Sequence, residues 1–293
     1  MSAIGIRDLT RVRRESPESV DRAWAERGRR TLGTGQLLVV AADHPARGAL
    51  GVRQDPMAMA SRSDLLERMA VALSRPGVDG VLGTADILED LLLMGLLEDK
   101  LVFGSMNRGG LQGASFELDD RFTGYDPDQI VAKGLDGGKM LTRIGLDDDG
   151  TAETLEASAQ AISALNDARL VAMCEPFWSV RSGSGRVANL LDPDSVIKSI
   201  HVAAGLGSSS AYTWLKLPVV EEMERVLDAT TLPCLLLGGD PRVSPEETYA
   251  SWGAALAAPA AAGLVVGRAL LYPQDGDVAA AVDVAADLVR RSR

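Results

Sequence analysis

Tyr212-Thr213-Trp214-Leu215-Lys216-Leu217-Pro218-Val219 is an apolar run with one lysine near its end. Its length, its aromatic and aliphatic content and the closing proline predict a buried strand from Tyr212 to Leu217. An ammonium at Lys216 is costly to bury, because loss of water disfavours the charged form and lowers the pKa of the amine. The same desolvation leaves a neutral amine able to attack a carbonyl, the first step of Schiff-base chemistry. Two plainer roles are open to it: pairing with a core carboxylate, or reaching past the strand end to water.

Similar runs recur on either side. Short apolar stretches alternate with amphipathic ones from Leu37 to the end, the pattern of repeated βα units around a parallel sheet. Strands are predicted over Leu37–Ala42, Val78–Leu82, Leu101–Ser105, Gly138–Ile144, Leu170–Glu175, Tyr212–Leu217, Pro233–Gly238 and Gly263–Gly267. Helices are predicted over Ser63–Leu73, Ala85–Leu97, Thr151–Leu165, Pro193–Ala204 and Pro245–Ala257, several preceded by Ser, Asp or Pro. A doubly wound open sheet shows the same alternation, but the strand count matches a closed (β/α)8 TIM barrel, and that is the expected α/β fold. Residues 1–35 form an N-terminal extension, helical around Val20–Ala25, expected to cap the barrel bottom or to contact another subunit. No repeat or linker divides the chain, so residues 1–293 read as a single barrel domain. Two stretches, Asn107–Pro127 and Phe177–Asn189, read as long loops, which in a compact barrel usually carry function.

At 293 residues and 46% hydrophobic content the chain can form a full globular core. It contains no apolar stretch long enough for a membrane helix. The Arg- and Glu-rich start lacks the core of a signal peptide, which places the protein in the cytoplasm. A net charge of −11 argues against nucleic acid as partner. Cys174 and Cys234 lie in apolar runs without metal-like spacing and read as inert core residues. His201 falls in a helical pattern as a packing residue. No metal and no cofactor is expected. The apolar segment Leu91–Leu97 and the N-terminal extension suggest a homo-oligomer.

In a barrel, chemistry gathers at the C-terminal strand ends. There the sequence places Asp43-His44-Pro45 after the first strand, Asn107-Arg108-Gly109-Gly110 after the third, Lys139 and Arg143 on the fourth, and Glu175 on the fifth. Lys216 lies on the sixth, Gly238-Gly239-Asp240 after the seventh and Gly267-Arg268 after the eighth. Two lysines and two acids converge on one mouth, the set a Schiff-base aldolase needs. Lys216 forms the imine, a second ammonium at Lys139 depresses its pKa, and Glu175 and Asp43 carry protons. Gly238, Gly239 and Gly267 leave backbone N–H groups open to an anion, and Arg268 adds a guanidinium, which together suggest a phosphate cradle. Arg108, Arg143 and Arg181 are candidates for the far end of the substrate, and His44 for orienting an acid or contacting substrate. Structural alternatives remain open for each. Asp43 suits a helix cap, Lys139 and Glu175 an ion pair, Arg268 a surface charge and His44 a turn.

Val39-Val40-Ala41-Ala42-Asp43-His44-Pro45-Ala46-Arg47-Gly48, with Lys139, Glu175, Lys216 and Val266-Gly267-Arg268-Ala269, resembles class I aldolases related to tagatose-bisphosphate and sulfofructose-phosphate aldolases. Ser105-Met106-Asn107-Arg108-Gly109-Gly110, Ala211–Pro218 and Leu236–Pro241 resemble more closely an actinobacterial branch of DeoC/LacD-like aldolases associated with inositol breakdown. The pattern departs from the tagatose type at His44-Pro45, where glutamine-arginine is usual, and at Gly238-Gly239-Asp240. The resemblance implies a (β/α)8 barrel with Lys216 as imine lysine, surrounded by Asp43, Lys139 and Glu175. It implies reversible cleavage of a phosphorylated keto sugar or keto sugar acid to dihydroxyacetone phosphate and an aldehyde. With the inositol branch, the substrate would be 5-dehydro-2-deoxy-phosphogluconate and the aldehyde malonate semialdehyde. Deoxyribose-phosphate and sulfosugar-phosphate cleavage are same-class alternatives. A phosphate-binding isomerase or sensor is the alternative outside the class.

Overall fold

Each predicted apolar run becomes a strand of one closed sheet in the computed structural model, which describes residues 4–108, 110–183, 185–238 and 244–291. The strands are β1 Leu37–Ala41, β2 Gly80–Gly83, β3 Leu101–Ser105, β4 Gly137–Ile144, β5 Val171–Arg181, β6 Val187–Asn189, β7 Thr213–Pro218, β8 Cys234–Leu237 and β9 Ala261–Val266. All but β6 pair in parallel, in the order β4-β3-β2-β1-β9-β8-β7-β5, and a β4–β5 pairing closes the ring. The fold is a (β/α)8 TIM barrel.

The connecting helices are α3 Arg62–Ser74, α4 Ala85–Leu93, α5 Pro127–Ala132, α6 Gly150–Asp167, α7 Pro193–Ala204, α8 Met223–Leu227, α9 Pro245–Leu256, α10 Arg268–Leu271 and α11 Val278–Arg291, preceded by α1 Leu9–Glu15 and α2 Ser19–Glu26. Local chemistry fixes several starts. Asp192 accepts from Ser195 N with Pro193 behind it, and Ser244 forms a capping box with Glu247. Leu37, Val39, Leu82, Leu101, Phe103, Met173, Leu235 and Val265 fill the lumen as one buried cluster. A larger cluster packs the outer strand faces against the helices.

Two expectations change. The stretch Phe177–Asn189 is not a loop throughout: β5 runs on to Arg181 and folds back as an antiparallel hairpin with β6. The alternation that continues through Phe177, Ser179 and Arg181 is the local reason. Nor is Leu91–Leu97 an apolar surface, since Leu91, Leu92, Leu93 and Leu97 are all buried. The N-terminal segment lies on α4, with Ile4 N donating to Leu93 O and Arg13 paired with Glu89 and Asp90. Arg27 donates to the carbonyls of Lys100 and Gly134, just before β3 and β4, so the extension covers this side of the barrel bottom. No helix among the described residues is long and apolar enough to cross a membrane.

Candidate active site

Strand alternation decides which side chains face the lumen. Leu37, Val39 and Ala41 point inward from β1, and Asp43, two residues on, continues that series past the strand end. Leu101 and Phe103 carry the series to Ser105, the register partner of Lys139 on β4. Val171 and Met173 carry it to Glu175, which lies opposite Leu141, and Lys216 sits opposite Leu235. Five polar side chains thus stand above an apolar floor.

They form one chain of contacts. Lys216 Nζ donates to Glu175 Oε1 at 2.7 Å. Glu175 Oε2 is bonded to Lys139, whose Nζ is also 3.3 Å from Asp43 Oδ2. Asp43 Oδ2 further accepts from Ser105 Oγ at 3.0 Å and from the Arg108 guanidinium. Asp43 makes no helix-capping bond with its side chain, so the capping role does not apply. Asp43 and Lys139 are 0% exposed, Lys216 3%, Glu175 7% and Arg108 9%, so all of these charges meet in a nearly dry space.

The electrostatics follow from that crowding. Burial lowers the pKa of Lys216 against the pull of Glu175, and Arg108 and Arg268 add repulsion. Burial also takes Lys139 well below the usual lysine value, with Arg108 and Lys216 acting in the same direction. Lys139 and Lys216 repel each other across Glu175, and Arg108 repels both. Burial alone would raise Glu175, but Lys139, Lys216 and Arg108 outweigh it and hold the carboxylate well below its ordinary range. Arg108 is pushed down to about 10 by burial. Amines with lowered pKa values beside an ionised carboxylate can exchange protons and attack a carbonyl.

His44 opens a 3-10 turn, His44–Arg47, which Gly48 closes at φ 75. Its Nδ1 lies 3.9 Å from Asp43 Oδ1. Burial, Arg268 and Lys216 lower its pKa well below 6.5, which leaves the ring neutral at neutral pH. A side chain at position 267 would run into the Ala41 carbonyl and come 3.3 Å from His44 Cε1, so Gly267 makes room for both β1 and the imidazole.

The remaining candidates divide. Arg108 pairs with Asp43 inside the cluster. Arg143 is almost fully buried, with Nε donating to Asp120 Oδ2 at 2.9 Å and the rest of its guanidinium engaged by Asp120, Glu117 and the Gly110 carbonyl. It holds the 107–127 loop over β4, and the expected substrate contact does not fit that placement. Asn107 supports the same loop, accepting from Leu141 N and donating to Leu141 O, both at 2.6 Å, as a strand neighbour would. Arg181 is on the hairpin, paired with Asp148 at 3.1 Å. Arg268 opens α10 and donates to Gly51 O at 3.4 Å. Gly238 has a packing reason, since a Cβ there would lie 2.7 Å from Val266 Cγ1 and 2.9 Å from Trp252 Cζ2. Gly239 lies outside the described residues. Cys174 and Cys234 are buried, and burial raises their thiols to about 11 and about 12.

Two residues near the mouth went unread. Ser105 continues the inward series of β3 and was detectable from alternation alone. Arg47, half-buried on the turn after β1 with Nη2 3.6 Å from Glu117, carries no periodic signal.

A family model described as Cgl0159-like matches residues 35–286. The crystal structure of Cgl0159 from Corynebacterium glutamicum is 56% identical, with 100% of both chains covered and a TM-score of 0.95. A Schiff-base-forming fructose-1,6-bisphosphate aldolase is 18% identical over 92% of this chain and 99% of its own, with a TM-score of 0.67. An archaeal fructose-1,6-bisphosphate aldolase, whose catalytic lysine is covalently bound to the carbinolamine intermediate, is 17% identical over 92% and 99% of the two chains, also with a TM-score of 0.67. At such identities the two aldolases share the fold. No curated protein shows significant sequence similarity to the chain.

Proposed function

We propose that this chain, which belongs to the Cgl0159-like family, is a class I aldolase that forms a Schiff base at Lys216. The observation that carries this reading is the buried Lys216 amine at the lumen mouth, 2.7 Å from a carboxylate shared with a second lysine. Its likeness in fold to Schiff-base aldolases supports the same reading.

In the proposed reaction the neutral Lys216 amine attacks the ketone carbon of the substrate. Glu175, already in contact with Nζ, moves the amine proton to the alkoxide oxygen, and a second proton, taken up from solvent through the same carboxylate, lets the carbinolamine hydroxyl leave as water and the imine remain protonated. The protonated imine then draws in the electrons of the adjacent carbon–carbon bond as the aldehyde departs. Lys139 bridges Glu175 and Asp43 and binds oxygen anions, and Asp43 belongs to the acid–base set. Arg268 and the glycines at 239 and 267 hold the phosphate. The substrate is a phosphorylated keto sugar or keto sugar acid and the ketone product dihydroxyacetone phosphate. The compound to try first is 5-dehydro-2-deoxy-phosphogluconate, on the resemblance to the inositol-associated branch.

The test is peptide mass spectrometry after incubation with dihydroxyacetone phosphate and borohydride. A reduced adduct on Lys216, absent in Lys216→Ala, is expected. An isomerase or a sensor would give no adduct with dihydroxyacetone phosphate, nor with pyruvate or acetaldehyde, and that result would sink the proposal.

A further inference from the structure

Glu175 has no oxygen to spare, since Oε1 is held by Lys216 and Oε2 by Lys139. Asp43 Oδ2 is taken in the same way by Ser105, Arg108 and Lys139. Asp43 Oδ1 is different: it is buried and has no hydrogen-bond partner. The same is true of His44 Nδ1, which faces it at 3.9 Å. Buried polar atoms are rarely left unpaired, and two orphans 3.9 Å apart on adjacent residues can satisfy each other. An approach of about 1 Å brings them to the ~2.9 Å of an N–H···O bond.

The surroundings are built for that contact. Pro45 fixes the backbone after His44, and Gly48 N donates back to Pro45 O at 2.9 Å, so the turn carrying the imidazole is rigid. Gly267 leaves room for the ring edge. Asp43 is fully buried, whereas the His44 side chain keeps 23% exposure and meets whatever enters the mouth. We propose that Asp43 and His44 form a dyad in which Asp43 Oδ1 accepts the Nδ1–H and His44 Nε2 moves the proton of the carbon–carbon cleavage step. The proposal rests on the aldolase reading above and names the proton carrier within it. The lowered pKa of the ring fits a neutral base at pH 7.

Cleavage then balances as follows. Nε2 takes the proton from the hydroxyl on the carbon beyond the scissile bond, and the O–H electron pair becomes the aldehyde π bond. The carbon–carbon pair moves toward the iminium, which becomes an enamine. The imidazolium, steadied by Asp43, delivers that proton to the enamine carbon and restores the iminium. Water then releases the ketone and regenerates Lys216.

The chain has only two histidines, so nitrogen-15 NMR of the rings is tractable, with His201→Gln to assign them. The expected signal for His44 at pH 7 is a neutral ring protonated on Nδ1, a tautomer lost in Asp43→Asn. The chemical arm uses dihydroxyacetone phosphate in deuterium oxide, where exchange of the hydrogen on its C3 needs the imine and the base but no aldehyde. His44→Ala should still give the borohydride adduct on Lys216, which also reports a folded site, while C3 exchange falls about 100-fold, the lower range for a general base. An Nε2-protonated ring, or undiminished exchange in His44→Ala, overturns the dyad and leaves the imine chemistry standing. A wild type that forms no adduct with dihydroxyacetone phosphate, pyruvate or acetaldehyde removes the aldolase reading and this step with it.

Discussion

Lys216 Nζ and Glu175 Oε1 are 2.7 Å apart, and the other oxygen of that carboxylate belongs to Lys139. The two sides of this contact are unequal. Removing Lys216 leaves Glu175 paired with Lys139, whereas removing the carboxylate strands the buried Lys216 amine and leaves Lys139 with Asp43 alone. Stripping one partner from a buried ion pair costs about 3–5 kcal/mol. Glu175→Gln should therefore lose about that much stability in urea titrations, and Lys216→Met less than about 1.5 kcal/mol, as for a volume-conserving core swap. Equal losses would show that Glu175 does not bridge the lysines in solution.

The pH dependence of stability has a definite sign. Glu175 is held well below the ordinary glutamate value of 4.5. In the window beneath 4.5 the unfolded chain takes up a proton that the folded chain does not. The stabilisation from Glu175 is thus complete above that value and is lost as the pH falls, by up to about 1.4 kcal/mol for each pH unit. Urea midpoints measured from pH 6 to pH 3 should fall more steeply for the wild type than for Glu175→Gln. Parallel curves would mean that the carboxylate titrates normally.

Much of this cluster is legible in the sequence. Asp43, Lys139, Glu175 and Lys216 each end or interrupt an apolar run, and a period of two sets all of them on one face once the barrel closes. The strand Leu101–Ser105 and the helix Pro193–Ala204 have the bounds the sequence predicts, since apolar run and cap signals agree there. What the sequence hid were contacts between distant segments. Arg143 reads as a free cation on a strand, and only folding of the 107–127 loop brings Asp120 and Glu117 onto it. Leu91–Leu97 reads as an exposed apolar stripe because its cover comes from the distant N-terminal segment, where Ile4 meets Leu93.

Arg143 and Asp120 pair through Nε and Nη2, at 2.9 and 2.6 Å, beneath the loop. Arg143→Met leaves Asp120 buried without its cation, in a site where burial already raises its pKa. The single variant should lose about 3–5 kcal/mol or release the loop to protease. Adding Asp120→Leu should recover most of the loss, because an apolar pair of similar volume can replace a buried ion pair. A double variant no better than the single one would mean that other bonds hold the loop, those of Asn107 being the first to examine.

Arg268 opens α10 directly after Gly267, and its charge is among those that lower Lys216. If its guanidinium also holds the substrate phosphate, its loss has two separable consequences. Trapping of dihydroxyacetone phosphate by borohydride should need at least tenfold more ketone in Arg268→Ala, the equivalent of about 1.4 kcal/mol of binding. Trapping of unphosphorylated dihydroxyacetone should keep its concentration dependence, while the pH at which the amine becomes reactive moves upward as a repelling charge is lost. A matched loss for both ketones would assign Arg268 to the amine alone and place the phosphate elsewhere at the mouth.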